Sequence, residues 1–107
     1  MIPVYICDDE PAVRASLEQI VAGQILILDG DMGPVRPLAD PDALLAAQKE
    51  GPVPAIYFLD IDFPGRISGL ELARRLRRVD PRGVMIFINP HNPRGFETIR
   101  QRLAALA

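Results

Sequence analysis

Lysine is nearly missing from this 107-residue chain: of twelve basic residues, eleven are Arg and only Lys49 is Lys. Arginine keeps its proton and is a poor substitute where a compact ammonium is needed. There is one cysteine, Cys7, one histidine, His91, and no tryptophan. A zinc site of Cys/His spacing is therefore excluded, and so is an intramolecular disulfide. A lone thiol and an N-terminus without a basic and long apolar leader predict a reducing, cytoplasmic setting and no secretory signal. No apolar run approaches the roughly 20 residues of a membrane helix, so no span is expected. A large charge excess is missing too. The net charge of −2 gives no footprint for nucleic acid, and no direct nucleic-acid binding is expected. What is present, 49% hydrophobic and 24% charged residues, is ordinary for a soluble folded protein and argues against disorder. Residues 1–107 are expected to form a single domain.

The chain alternates apolar runs with helical patterns. Ile2 to Cys7 reads as a strand, with Pro3 near its start where a lost donor is tolerated. Asp8-Asp9-Glu10-Pro11 then reads as a helix start, with Asp9 or Glu10 at the cap. Val13, Leu17, Ile20 and Val21 share one helical face, and Gly23 is a candidate end. Ile25 to Leu28 fits either a continued helix or a strand. Asp29-Gly30 leaves open a hairpin onto Val35–Leu38, and Pro34 and Pro37 assign that segment to a sheet edge. Asp40-Pro41 opens a short second helix. Ala55 to Asp60 and Val84 to Ile88 are apolar enough to be strands covered on both faces. Ser68 with Glu71 forms a capping box, Leu72, Ala73, Leu76 and Val79 line the inner side of the helix it opens, and Asp80 to Gly83 is a turn. Gly95 to Ala105 is the last helix. This order predicts an α/β parallel sheet with helices on both faces.

Two of the clearest strands end in acids: Asp8, Asp9 and Glu10 after the first, and Asp60, with Asp62 two residues on, after the third. Ligands of open parallel sheets sit beyond the carboxyl ends of the strands. Neighbouring strands lie about 4.8 Å apart, so several carboxylates would crowd one site. They cannot all stay ionised there without a cation. Oxygen-only ligands beside a phosphoryl group suit Mg²⁺, and one carboxylate becomes a candidate nucleophile for an aspartyl phosphate.

Val4-Tyr5-Ile6-Cys7-Asp8-Asp9-Glu10-Pro11, Tyr57-Phe58-Leu59-Asp60-Ile61-Asp62 and Gly69-Leu70-Glu71-Leu72-Ala73 resemble a response-regulator receiver domain. The wording is most similar to the LytTR-type receivers of the accessory gene regulator group, and the match runs in order from Met1 to about Ala107. The resemblance implies a flavodoxin-like (CheY-like) doubly wound sheet of order 2-1-3-4. It implies Asp60 as phosphoacceptor, Asp9 binding Mg²⁺ directly, Asp8 binding it through water, and the backbone carbonyl of Asp62 as a further ligand. A histidine kinase would supply the phosphoryl group to what is a self-phosphorylating switch rather than a metabolic enzyme. The output in such families is transcriptional regulation, exerted through a face of helix four, strand five and helix five.

The sequence also departs from that pattern. Asn89 stands where the family has Ser or Thr, Pro90 where it prefers a small residue, and His91 resembles a family histidine, although a lone loop histidine is usually a plain surface residue. The chain stops at Ala107, about where strand five would begin, so the fifth strand with its lysine, the fifth helix, the switch aromatic and the DNA-binding domain are expected to be absent. Lys49 lies in the second helix and cannot replace that lysine; Arg66 and Arg94 are loop residues. An uncovered fourth strand predicts dimerisation through its edge. The alternative function is a phosphorylation-independent interaction module, in a truncated, degenerate or redesigned receiver. A flavin site fares worse, because Asp8-Asp9-Glu10-Pro11 would repel a phosphate. Arg74, Arg75, Arg77 and Arg78 read as a solvated helix face, and Asp29-Gly30-Asp31 as a turn lacking the ligands of a calcium loop.

Overall fold

The computed structural model describes residues 2–28, 31–51, 53–60, 67–88 and 95–106. The elements alternate: β1 (Ile2–Cys7), α1 (Pro11–Leu28), β2 (Met32–Leu38), α2 (Pro41–Glu50), β3 (Ile56–Asp60), α3 (Gly69–Val79), β4 (Val84–Ile88) and α4 (Gly95–Leu106). The four strands form one parallel sheet in the order β2-β1-β3-β4, as expected. Prolines 34 and 37 fall on β2, which among the described residues is an edge strand bonded to β1 alone.

Alternation along the central strands builds two cores. Val4 and Ile6 of β1 and Ile56 and Phe58 of β3 face Leu17 and Val21 of α1 and Ile99 and Leu103 of α4. Tyr5 and Cys7, with Tyr57 and Leu59, face Leu44 and Leu45 of α2 and Leu72 and Leu76 of α3. The sheet thus carries α1 and α4 on one face and α2 and α3 on the other. The resemblance had implied a fourth helix grouped with a fifth strand and fifth helix. Here α4 packs beside α1 because Ile99 and Leu103 fill the core behind Phe58 and Ile88. Among the described residues, β4 has β3 as its only strand neighbour.

Caps follow the sequence closely. Asp40 accepts from the Ala43 amide at 2.8 Å, and Ser68 from the Glu71 amide at 3.1 Å. Glu71 turns its carboxylate to Arg74 and Arg75, at 3.6 and 3.3 Å. The end of α1 differs from expectation. Gly23 does not stop it, and the helix continues to Leu28, with Ile25 and Leu28 packed against the core. β2 then runs parallel to β1 rather than returning as a hairpin. Among the described residues, no helix is long and apolar enough to cross a membrane.

The end of the sheet where the strands begin is closed by a buried polar clamp. Asp80, 3% exposed, accepts from the Ala55 amide at 3.0 Å and the Tyr57 hydroxyl at 2.7 Å. Gln48 donates to the same hydroxyl and, at 3.1 Å, to the Val53 carbonyl. Arg77 closes the turn by donating to the carbonyls of Pro81, at 3.0 Å, and Gly83, at 2.6 Å. A side chain at Gly83 would meet the Asp80 carboxylate and lie 2.7 Å from Tyr57 Cε2, so only glycine fits. Tyr57 in turn stacks on Tyr5 at 5.7 Å, and the Arg36 guanidinium covers the Tyr5 ring at 5.5 Å.

Candidate functional site

The carboxyl ends of β1 and β3 meet where the strand order reverses, with β2 on one side of β1 and β3 on the other. The register sets Cys7 opposite Leu59, so Asp8 and Asp60 follow at the same level. Carboxylate oxygens of Asp8, Asp9 and Asp60 lie within 4.8 Å of one another. Of the acids singled out from the sequence, three are thus brought together, while Glu10 is not in the group and Asp62 lies outside the described residues.

Their surroundings differ. Asp9 is exposed and Asp60 half-buried, whereas Asp8 is 1% exposed. Asp8 Oδ1 accepts from the Glu10 amide at 2.9 Å, so Asp8 satisfies a donor at the helix start where Asp9 or Glu10 was expected to cap. Asp8 Oδ2 is buried without a hydrogen-bond partner among the described residues. Burial pushes the Asp8 carboxyl above its ordinary range. The Glu10 amide pulls it back, and the charges of Asp60, Asp9 and Glu10 raise it further. Beneath the cluster, burial and then Asp40, Asp8, Asp60 and Asp9 push the Cys7 thiol up to about 12. Cys7 is therefore an inert core residue rather than a nucleophile.

A buried carboxylate oxygen with no donor, flanked by two more carboxylates, fits a hard cation. The cation would supply the charge and coordination that the protein withholds. The acidic cluster is compatible with Mg²⁺ on that ground. Asp62, Asn89, Pro90, His91, Arg66 and Arg94 lie outside the described residues. Lys49 is in the last turn of α2, in keeping with its exclusion from the strand ends. Arg14 was not singled out from the sequence. One turn into α1, it donates Nη1 to the Asp8 carbonyl at 2.9 Å and so helps fix the backbone that carries the buried acid. Nothing in the sequence sets it apart, since α1 also carries the charged Glu18.

No family model matches the chain. Accessory gene regulator protein A of Staphylococcus epidermidis is 29% identical over 103 residues, covering 96% of this chain and 43% of that protein. The protein of the same name from Staphylococcus aureus is 29% identical over the same coverage. The chain thus spans less than half the length of these curated relatives. In fold it is similar to a two-component transcriptional regulator, AraC, from Clostridium phytofermentans. That match has a TM-score of 0.76 at 17% identity and covers 98% of this chain and 90% of the other. A response regulator from Colwellia psychrerythraea matches with a TM-score of 0.58 at 23% identity, covering 94% and 75%. The resemblance to a response-regulator receiver of the accessory gene regulator type is borne out by these relatives and by the sheet order they share.

Proposed function

We propose that this chain is a two-component receiver that accepts a phosphoryl group on Asp60 from a histidine kinase. The observation that carries the reading is the partnerless buried oxygen of Asp8 within 4.8 Å of carboxylate oxygens on Asp9 and Asp60. Asp8, Asp9 and Asp60 would hold Mg²⁺, which supplies charge neutralisation for an incoming phosphoryl group. Asp60, at the mouth of the site on a strand buried on both faces, presents an oxygen to the phosphorus of a phosphohistidine. The P–O bond forms as the P–N bond breaks, and the imidazole nitrogen takes the departing electron pair. The Asp62 carbonyl takes the ligand role that the resemblance gives it, Asn89 stands at the family's Ser or Thr position with an amide able to donate to a phosphoryl oxygen, and the output is regulation of transcription.

Intact mass after incubation with Mg²⁺ and a small-molecule phosphodonor tests this. The wild type should gain one phosphate and Asp60→Ala none. An unmodified wild type that still binds Mg²⁺ would favour the phosphorylation-independent interaction module.

The same reading includes self-association through β4. Its sequence, Val84-Met85-Ile86-Phe87-Ile88, carries neither charge nor proline to discourage pairing, and Val84 is 37% exposed. Light scattering should show dimers that Val84→Lys dissociates. A monomer at all concentrations would remove this part of the proposal.

A further inference from the structure

We infer that the groove between α2 and α3 docks an acidic amphipathic segment of a partner protein. The groove, of about 510 Å³, is lined by apolar Leu45, Ala46 and Val79 and by basic Lys49, Arg75 and Arg78, with Asp42 as its one acid. Its size lies within the range of binding clefts. Its lining comes from α2 and α3 alone and includes none of Asp8, Asp9 and Asp60, and the inference does not depend on the phosphoacceptor reading.

Three observations select the occupant. The first is sign: three cations and one acid line the groove in a chain whose net charge is −2. The cleft is thus locally opposite to the whole. The only lysine of the chain is among them. The second is availability. Arg75 is paired with Glu71, but Lys49 and Arg78 have no ion-pair partner among the described residues. The third is the placement of the charges beside an apolar lining. Basic residues in the last turns of α2 and α3 complement the helix dipoles. The dipole explains neither Arg75, a turn earlier, nor the apolar strip between the two helices. That arrangement matches helix-in-groove recognition, in which apolar anchors at i, i+3, i+4 and i+7 meet the apolar lining and flanking charges meet the basic residues. With 10 and 11 residues, the two helices are each about three turns long, room for a guest helix of similar length.

The probe is a fluorescein-labelled amphipathic peptide with Leu at i, i+3, i+4 and i+7 and Glu at the remaining positions, titrated with the whole chain and read by anisotropy. Two controls accompany it: the same peptide with Lys for Glu, and oligoglutamate without leucines. The Glu/Leu peptide should bind, and each control should bind at least about tenfold more weakly, a difference of about 1.4 kcal/mol. The double variant Lys49→Glu, Arg78→Glu should lose about tenfold or more in affinity while its thermal melt stays that of the wild type. If charge reversal disturbs the fold, Lys49→Gln with Arg78→Gln serves instead, and Ala46→Glu tests the apolar lining separately. The inference is overturned by equal binding of the Lys peptide, by equal binding of oligoglutamate, by variants that bind like wild type, or by no binding up to about 1 mM. Binding to anionic phosphatidylglycerol vesicles in place of the peptide would likewise overturn it, in favour of a lipid surface.

Discussion

Two buried aspartates stand at opposite ends of the same sheet and are treated in opposite ways. Asp80, where the strands begin, is 3% exposed and takes donors from Ala55 and Tyr57 through Oδ2. Asp8, where β1 ends, is 1% exposed, has one donor on Oδ1 and, among the described residues, leaves Oδ2 without any. Burying a carboxylate is costly unless protein groups or a cation compensate. At Asp80 the fold itself provides the compensation, with Gly83 kept bare so that the Asp80–Tyr57 pair can close. At Asp8 the neighbouring side chains are more acids. Chemically identical residues at similar depth thus form a structural clamp at one end and part of an acidic cluster compatible with a cation at the other.

Removing the clamp should cost the most. Asp80→Ala strands the Ala55 amide and cuts the Tyr57 hydroxyl from its acceptor. We expect unfolding in urea to show a loss of about 3 kcal/mol, on the scale of two buried groups left unsatisfied. Mg²⁺ affinity at the other end should not change. A loss near zero would mean that the clamp is ornamental and that the contrast between the two ends is false.

A smaller effect sharpens the same contrast through pH. Burial, then the hydrogen bond to Asp80, raise the Tyr57 hydroxyl well above its ordinary value of 10.0, against an opposing pull from Gln48. Above about pH 10 the unfolded chain loses this proton while the folded chain keeps it. The unfolded state then binds fewer protons, so the contribution of Tyr57 is intact below that pH and is lost as pH rises toward the folded value. Stability should therefore fall across the alkaline range in the wild type, by about 1 kcal/mol per pH unit or slightly more. Tyr57→Phe should flatten that slope. An unchanged slope in the variant would assign the alkaline loss to other groups.

The legibility of the sequence divides along similar lines. β1, β3 and β4 were readable because each is a short apolar run bounded by acids, glycine or proline, and the starts of α2 and α3 because Asp40 and Ser68 cap locally. Asp8, Asp9 and Asp60 were readable as a group because strand ends in a parallel sheet converge. Long-range relations were not. Asp80 looked like a turn residue, since its partners Tyr57 and Ala55 are 23 and 25 positions away. Ile25–Leu28 is compatible with helix or strand until the core beside β1 is seen to take Ile25 and Leu28. Nothing in the spacing of Asp8 and Asp9 says which is buried, and nothing in α4 alone says that it joins α1. The groove between α2 and α3 was equally hidden, because Arg75 and Arg78 come to line one groove with Lys49 only when the two helices pack.

The difference between the two ends is tested most directly by titrating Mg²⁺ into the wild type, Asp8→Asn and Asp80→Asn, with backbone amide resonances as the readout. We expect saturable shifts at the ends of β1 and β3 in the wild type and in Asp80→Asn, and none in Asp8→Asn. At a free Mg²⁺ concentration 100 times its Kd, binding should also stabilise the wild type by about 2.7 kcal/mol. Shifts that persist in folded Asp8→Asn, or a wild type that shows no saturable binding, would contradict the assignment of this acidic end as a cation site.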